Sequence, residues 1–145
     1  TEVFENTKPR NNYFRVEEFA QGDISFVDEI NSNTGYFKLQ NILDNSTTAA
    51  HEFGHTLGLV HPHNLDIRGE GTPGIMYPRG TLVDPHFQYY PEVAAGEKGG
   101  TLNPFTRRVL QKDIEDLHLE DLEFDENGIA IIGAFSSVWH EKHLP

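Results

Sequence analysis

The sequence predicts an α+β domain in which a small mixed β-sheet packs on one chemically loaded helix and an irregular second half follows. Three observations carry this. Aromatic and β-branched residues cluster in short runs before residue 45, and apolar residues recur at helical spacing between 46 and 57. Prolines at 62, 73, 78, 85 and 91 then exclude long regular elements between Val60 and Gly100.

Taken in order, residues 1–12 are polar and aperiodic, and read as a tail. Tyr13 to Phe19 and Asp23 to Ile30 read as two strands separated by the turn Ala20-Gln21-Gly22, although the first run also fits a short helix. The turn cluster Asn31-Ser32-Asn33-Thr34-Gly35 leads into a third strand, Tyr36 to Gln40. Ser46, Thr47 and Thr48 supply capping hydroxyls for a helix in which Ala50, Phe53 and Leu57 share a face, and Gly58 stops it. Asn103-Pro104 offers a cap and a first-turn proline. Val109, Leu110, Ile114 and Leu117 then recur at helical spacing and predict a second helix ending near Leu119. Asp125-Glu126-Asn127-Gly128 is a turn, followed by the apolar run Ile129 to Phe135; no internal repeat or low-complexity tract is present.

Composition narrows the functional classes. With 145 residues, 37% of them hydrophobic, the chain is one domain's worth and large enough to bury a core without cross-links. Zero cysteine removes thiol chemistry. The formal charge of −12, with Lys and Arg scattered, argues against nucleic-acid and membrane-surface partners and for tolerance of basic substrates. No apolar run reaches the roughly 20 residues that a membrane span requires, and the polar opening is no signal peptide. A start at Thr1 suggests a processed or trimmed chain.

The decisive stretch is His51-Glu52-Phe53-Gly54-His55-Thr56-Leu57-Gly58-Leu59-Val60-His61, which fits H-E-x-x-H-x-x-G-x-x-H at every specified position. Accidental occurrence at average residue usage is roughly one chain in ten thousand. At about 100° per residue, His51 and His55 project from one helix face a turn apart, so both imidazoles reach one ion. Glu52 sits beside them, where its carboxylate meets a water on that ion. Gly58 ends the helix in a conformation costly for other residues, which turns the chain back so that His61 supplies a third nitrogen. Three imidazoles with one open position make a catalytic rather than a structural zinc site, holding a single Zn2+. Spacing favours His61 as third ligand over its neighbours His63 and Asp66.

Together with Gly74-Ile75-Met76-Tyr77-Pro78, whose Met76 lies fifteen residues beyond His61, this motif resembles the metzincin zinc endopeptidases, and most closely the matrixins. Phe14-Arg15-Val16, Gly22-Asp23-Ile24-Ser25-Phe26 and Leu110 to Leu117 resemble matrixin strands and the C-terminal helix. The likeness covers roughly residues 13–119. It implies a single domain over residues 1–145 with an upper part (about 13–61), a lower part (about 62–145) and a substrate cleft between them. It also implies Met76 as an apolar floor beneath the metal that makes no bond to it, and Tyr77 and Pro78 as wall of a specificity pocket. His86, Tyr89 and Tyr90 follow in the loop where that wall continues, and fit ordinary surface aromatics equally well. Secretion is implied by the resemblance alone.

The chain also departs from the matrixin pattern. The strand and backing helix that open a matrixin have no counterpart in residues 1–12, which suggests a reduced form or a removed N-terminal portion. No double loop with calcium ligands precedes the helix, so structural calcium is not expected. The acidic run Glu120, Asp121, Glu123, Asp125, Glu126 lacks the spacing of a calcium loop and reads as a solvated turn. The reading that follows is a zinc endopeptidase acting on protein or peptide substrates, with Glu52 as general base and acid. The alternatives are a catalytically silent zinc-binding module of a larger protein and a zinc hydrolase of another amide.

Overall fold

The computed structural model describes residues 11–18, 24–43 and 46–132, and its architecture is a small mixed α+β fold. Three strands, β1 (Tyr13–Glu17), β2 (Phe26–Val27) and β3 (Thr34–Lys38), form one sheet in the order β1-β3-β2. β3 runs parallel to β1, with Tyr13 opposite Thr34 and Glu17 opposite Lys38, and antiparallel to β2, with Phe26 opposite Tyr36. Its central position explains why Thr34, Gly35 and Tyr36 are buried. Cross-strand aromatics hold the register: the Phe14 and Phe37 rings stack at 4.2 Å and 6°, and Phe26 lies 5.3 Å from Tyr36.

The second strand is shorter than its sequence suggests. Of Asp23 to Ile30 only Phe26 and Val27 pair, because Asp28 to Asn31 are drawn into a turn that the Asn31 backbone, at φ 68°, completes. The first strand ends at Glu17, and the third begins two residues earlier than expected and gives way at Leu39 to the single-turn helix α1 (Leu39–Ile42). Residues 1–10, the Ala20-Gln21-Gly22 turn and residues 133–135 of the apolar run that starts at Ile129 lie outside the described residues.

Helix α2 (Thr48–Thr56) forms where the spacing places it and packs against β2. Ser46 Oγ, rather than the Thr47 side chain, receives the Thr48 N–H at 3.2 Å at its start. At its end Gly58, at φ 94°, takes the left-handed conformation, Leu59 N–H donates to Gly54 O and Gly58 N–H to His55 O, both at 3.1 Å. This pair of bonds is a Schellman stop. A side chain at Gly58 would also meet Asn31 Oδ1 at 2.6 Å, so both backbone strain and space demand glycine there.

Beyond α2 the chain is irregular but closely bonded. Ile67 N–H donates to Leu82 O and Leu82 N–H to Leu65 O, while Gln88 bridges to Leu102. The buried apolar core lies mainly in this half, as one cluster of Leu59, Ile75 and Met76 and a second of Ile67, Val83 and Leu102.

The helix expected over 103–119 is the main correction. Asn103 does cap Pro104, its Oδ1 accepting Phe105 N–H at 3.1 Å, but the resulting 3-10 turn ends at Thr106. Residues 107–110 are extended, with Arg108 N–H donating to Pro73 O at 3.0 Å, before helix α3 (Gln111–Glu115) forms. Val109, Leu110 and Ile114 are exposed, and of the four periodic residues only Leu117 packs on the core. A long-range backbone pairing has overridden local helical spacing. The turn at 125–128 forms as expected, with Gly128 at φ 73°.

Candidate metal centre

Helix α2 and its glycine stop bring three imidazoles to one point. His51 and His55 are buried on one face of α2, and the reversal at Gly58 returns the chain so that His61 Nε2 lies 3.0 Å from His51 Nε2 and 3.1 Å from His55 Nε2. Four nitrogens or oxygens set tetrahedrally about zinc at roughly 2.0–2.1 Å would stand about 3.3 Å apart. The two distances to His61 are close to that, and all three ligand atoms lie within 4.8 Å of one another.

The tautomers follow from what lies behind each ring. His51 Nδ1–H donates to Ile75 O and His55 Nδ1–H to Leu59 O, each at 2.8 Å. Both Nε2 atoms therefore turn lone pairs toward His61, whose single Nε2 can carry one proton at most. Two short nitrogen contacts cannot both be bridged by it. Further protonation is opposed: burial lowers the His51 pKa to about 3, helped by the Arg107 charge, and burial likewise lowers those of His55 and His61. A cation shared by three neutral imidazoles would resolve the arrangement, and the two carbonyls would then be the outer partners that orient the ligating histidines. These three residues form a group that could hold a metal ion.

Glu52 is buried on α2 beside His51, and the Val27 N–H of the sheet bonds its carboxylate. Burial raises its pKa to about 7, against the opposing charges of Arg107 and Arg79. Below the helix, Met76 is buried with its Sδ against Gly54, where any added Cβ would collide with it. Tyr77 is partly buried and packs on the Ile67–Val83–Leu102 cluster; Pro78 is half-buried beside it.

The remaining sequence candidates fall outside this group. His63 is exposed and separate from the triad, and Asp66 is engaged by Arg68 in a two-point ion pair at 2.8 and 2.7 Å. His86 and Tyr90 are exposed, and Tyr89 lines a separate pocket of about 340 Å³ with Arg79 and Phe105. His118, Glu120 and Asp121 form an exposed second group of donors.

Two residues that sequence reasoning passed over brace the centre. Arg107 is only 2% exposed; its Nε donates to Thr47 Oγ1 at 3.2 Å and its Nη1 to Tyr77 O at 3.0 Å. It thereby joins the start of α2 to the Met76–Tyr77 segment, and Thr47 adds its own bond to Pro104 O. Burial lowers its pKa to about 10. Asp113 Oδ2 accepts Leu110 N–H at 2.7 Å and Ile75 N–H at 3.4 Å, fixing the strand of chain whose carbonyl orients His51. An acid three residues into a helix start was a readable signal for Asp113. For Arg107 no local pattern existed.

Comparison with protein-family models, with curated protein sequences and with solved structures returns no match.

Proposed function

We propose that this protein is a zinc-dependent endopeptidase of metzincin type, in which His51, His55 and His61 hold the ion and Glu52 is the general base and acid. The observation that carries the reading is the convergence of three Nε2 atoms on one point beside a buried carboxylate whose pKa is pushed to about 7. The match of residues 51–61 and 74–78 to the metzincin pattern supports it further.

When bound, zinc supplies Lewis-acid polarisation of a carbonyl oxygen and lowers the pKa of a water toward roughly 7. The chain's own residues do the rest. Ile75 O and Leu59 O keep His51 and His55 in the tautomer that presents Nε2 lone pairs. Glu52 accepts one proton from the attacking water as its oxygen bonds to the peptide carbon. The same carboxyl then delivers that proton to the amide nitrogen as the C–N bond breaks, leaving a carboxylic acid and an amine, between which the water's second proton passes to give carboxylate and ammonium. Burial of Glu52 favours its protonated form, offset by Arg107 and Arg79, while a cation held by the histidines would favour the carboxylate that takes the first proton. Met76 packs directly against Gly54 beneath the histidines, where a side chain in place of the glycine would meet its Sδ.

The test is cleavage profiling of the zinc-loaded protein on a diverse peptide library, with Glu52→Gln alongside. Wild type is expected to cut internal peptide bonds, and the variant to retain zinc while turnover falls about 10²- to 10⁴-fold. Equal cleavage by both would remove Glu52 from the role; no cleavage by zinc-loaded wild type would overturn the reading.

A further inference from the structure

A cavity of about 610 Å³ opens directly beside the metal centre, and His61 forms part of its wall. That volume falls in the roughly 300–1,000 Å³ range of pockets that take a small ligand, so one long side chain fits. Apolar lining comes from Val60, Met76 and Leu110, which would cover a side chain's methylene stem. The polar lining is unbalanced: Glu70, Asp113 and Asp116 stand against the single ammonium of Lys112, beside the imidazoles of His61, His63 and His118.

The hydrogen bonds show which charge is available. Lys112 is engaged by Asp116 at 2.8 and 3.2 Å, so these two cancel. Asp113 Oδ2 is committed to the N–H groups of Leu110 and Ile75. Glu70 is exposed, and among the described residues its carboxylate has no hydrogen-bond or ion-pair partner. The cavity-lining Tyr77 hydroxyl is likewise without one, and both Glu70 and Asp113 act electrostatically on it. An ion at the histidines makes a second cation costly beside His61, which leaves Glu70 as the place where one is stabilised.

Building on the peptidase reading, we propose that this cavity is a specificity pocket for a lysine or arginine side chain flanking the cleaved bond, and that Glu70 is its charge partner. The apolar stem lies along Val60 and Leu110, and the cationic head meets the Glu70 carboxylate. The overall charge of −12 draws such substrates in the same direction.

The experiment compares the zinc-loaded wild type with Glu70→Gln and Glu70→Lys on matched peptides carrying Lys, Ala or Glu at each position around the cut. Glu70 is exposed and its side chain supports nothing else, so both variants are expected to fold and bind zinc as the wild type does. Wild type is expected to favour Lys over Ala in kcat/KM at one position. That ratio should fall about fivefold in Glu70→Gln, the worth of one exposed ion pair, and Glu70→Lys should favour Glu at the same position. An unchanged ratio in both variants overturns this inference while the peptidase reading stands. Absence of cleavage by wild type overturns both.

Discussion

Two stretches of this chain carry helical spacing, 46–57 and 103–119, and only one becomes the helix its periodicity describes. In α2 the start, the stop and the long-range contacts agree, although Ala50 and Phe53, which the spacing puts on one apolar face, are exposed. Gly54 on the opposite, buried face meets Met76, the helix ends in a glycine stop, and two of its histidines reach carbonyls that lie where the next turn and the Met76 segment place them. In 103–119 they disagree. Arg107 is pulled to Tyr77 O and Thr47 Oγ1, and Arg108 N–H to Pro73 O, so the chain is extended where a helix would have continued. Periodicity reports a structure only when nothing distant competes for the same backbone, and a single buried guanidinium is enough to compete.

The strongest way to break the comparison is to titrate the metal-free first stretch. With the folded pKa of His51 at about 3 and those of His55 and His61 lowered, the unfolded chain holds more protons than the folded one below 6.5. Their contribution is fully present above about 6.5 and is lost as the pH falls through the folded values. Glu52 acts oppositely. Its folded pKa of about 7 makes its contribution present below its ordinary carboxylate value and lost as the pH rises through 7. Between pH 7 and pH 5 His51 and Glu52 largely offset each other, so the lowered pKa values of His55 and His61 decide the sign and the Tm of metal-free protein should fall. A flat or rising Tm would contradict the buried, neutral triad.

Arg107 links the two stretches, and its removal should be felt in both. Arg107→Met deletes two charge-assisted hydrogen bonds and is expected to cost about 3 kcal/mol in urea unfolding, with weaker zinc retention. Arg107→Lys keeps the charge but cannot fork to Thr47 and Tyr77 together, and should recover only part of the loss. A loss below about 0.5 kcal/mol in Arg107→Met would show that the brace is not structural.

The smallest effect sharpens the second stretch. Val109 is 58% exposed here, whereas a continuous helix would turn it to the core beside Leu117. Val109→Ser should therefore change stability by no more than about 0.5 kcal/mol. A cost of about 2 kcal/mol, as for a buried apolar side chain, would restore the helix.

Much of the centre was legible because its chemistry is local. Ligand spacing, the neighbouring carboxylate and the stopping glycine all fall within residues 51–61, and Met76 was placed by its motif. The sheet was legible in kind but not in extent: β2 shrank to Phe26–Val27 because the Asn31 turn takes residues that alternation alone assigns to a strand. What stayed hidden was non-local. Arg107 lies 55 residues from Glu52 in sequence and influences it only through the fold, and Glu70 gains meaning only from the cavity it shares with His61.

The most direct test of the central claim is zinc-edge X-ray absorption on the zinc-loaded protein, with His61→Ala alongside. Three imidazole nitrogens at roughly 2.0–2.1 Å and one exchangeable light-atom position are expected, with two imidazoles in the variant. Failure to bind zinc stoichiometrically, or the same imidazole count in both proteins, would contradict a centre built from His51, His55 and His61.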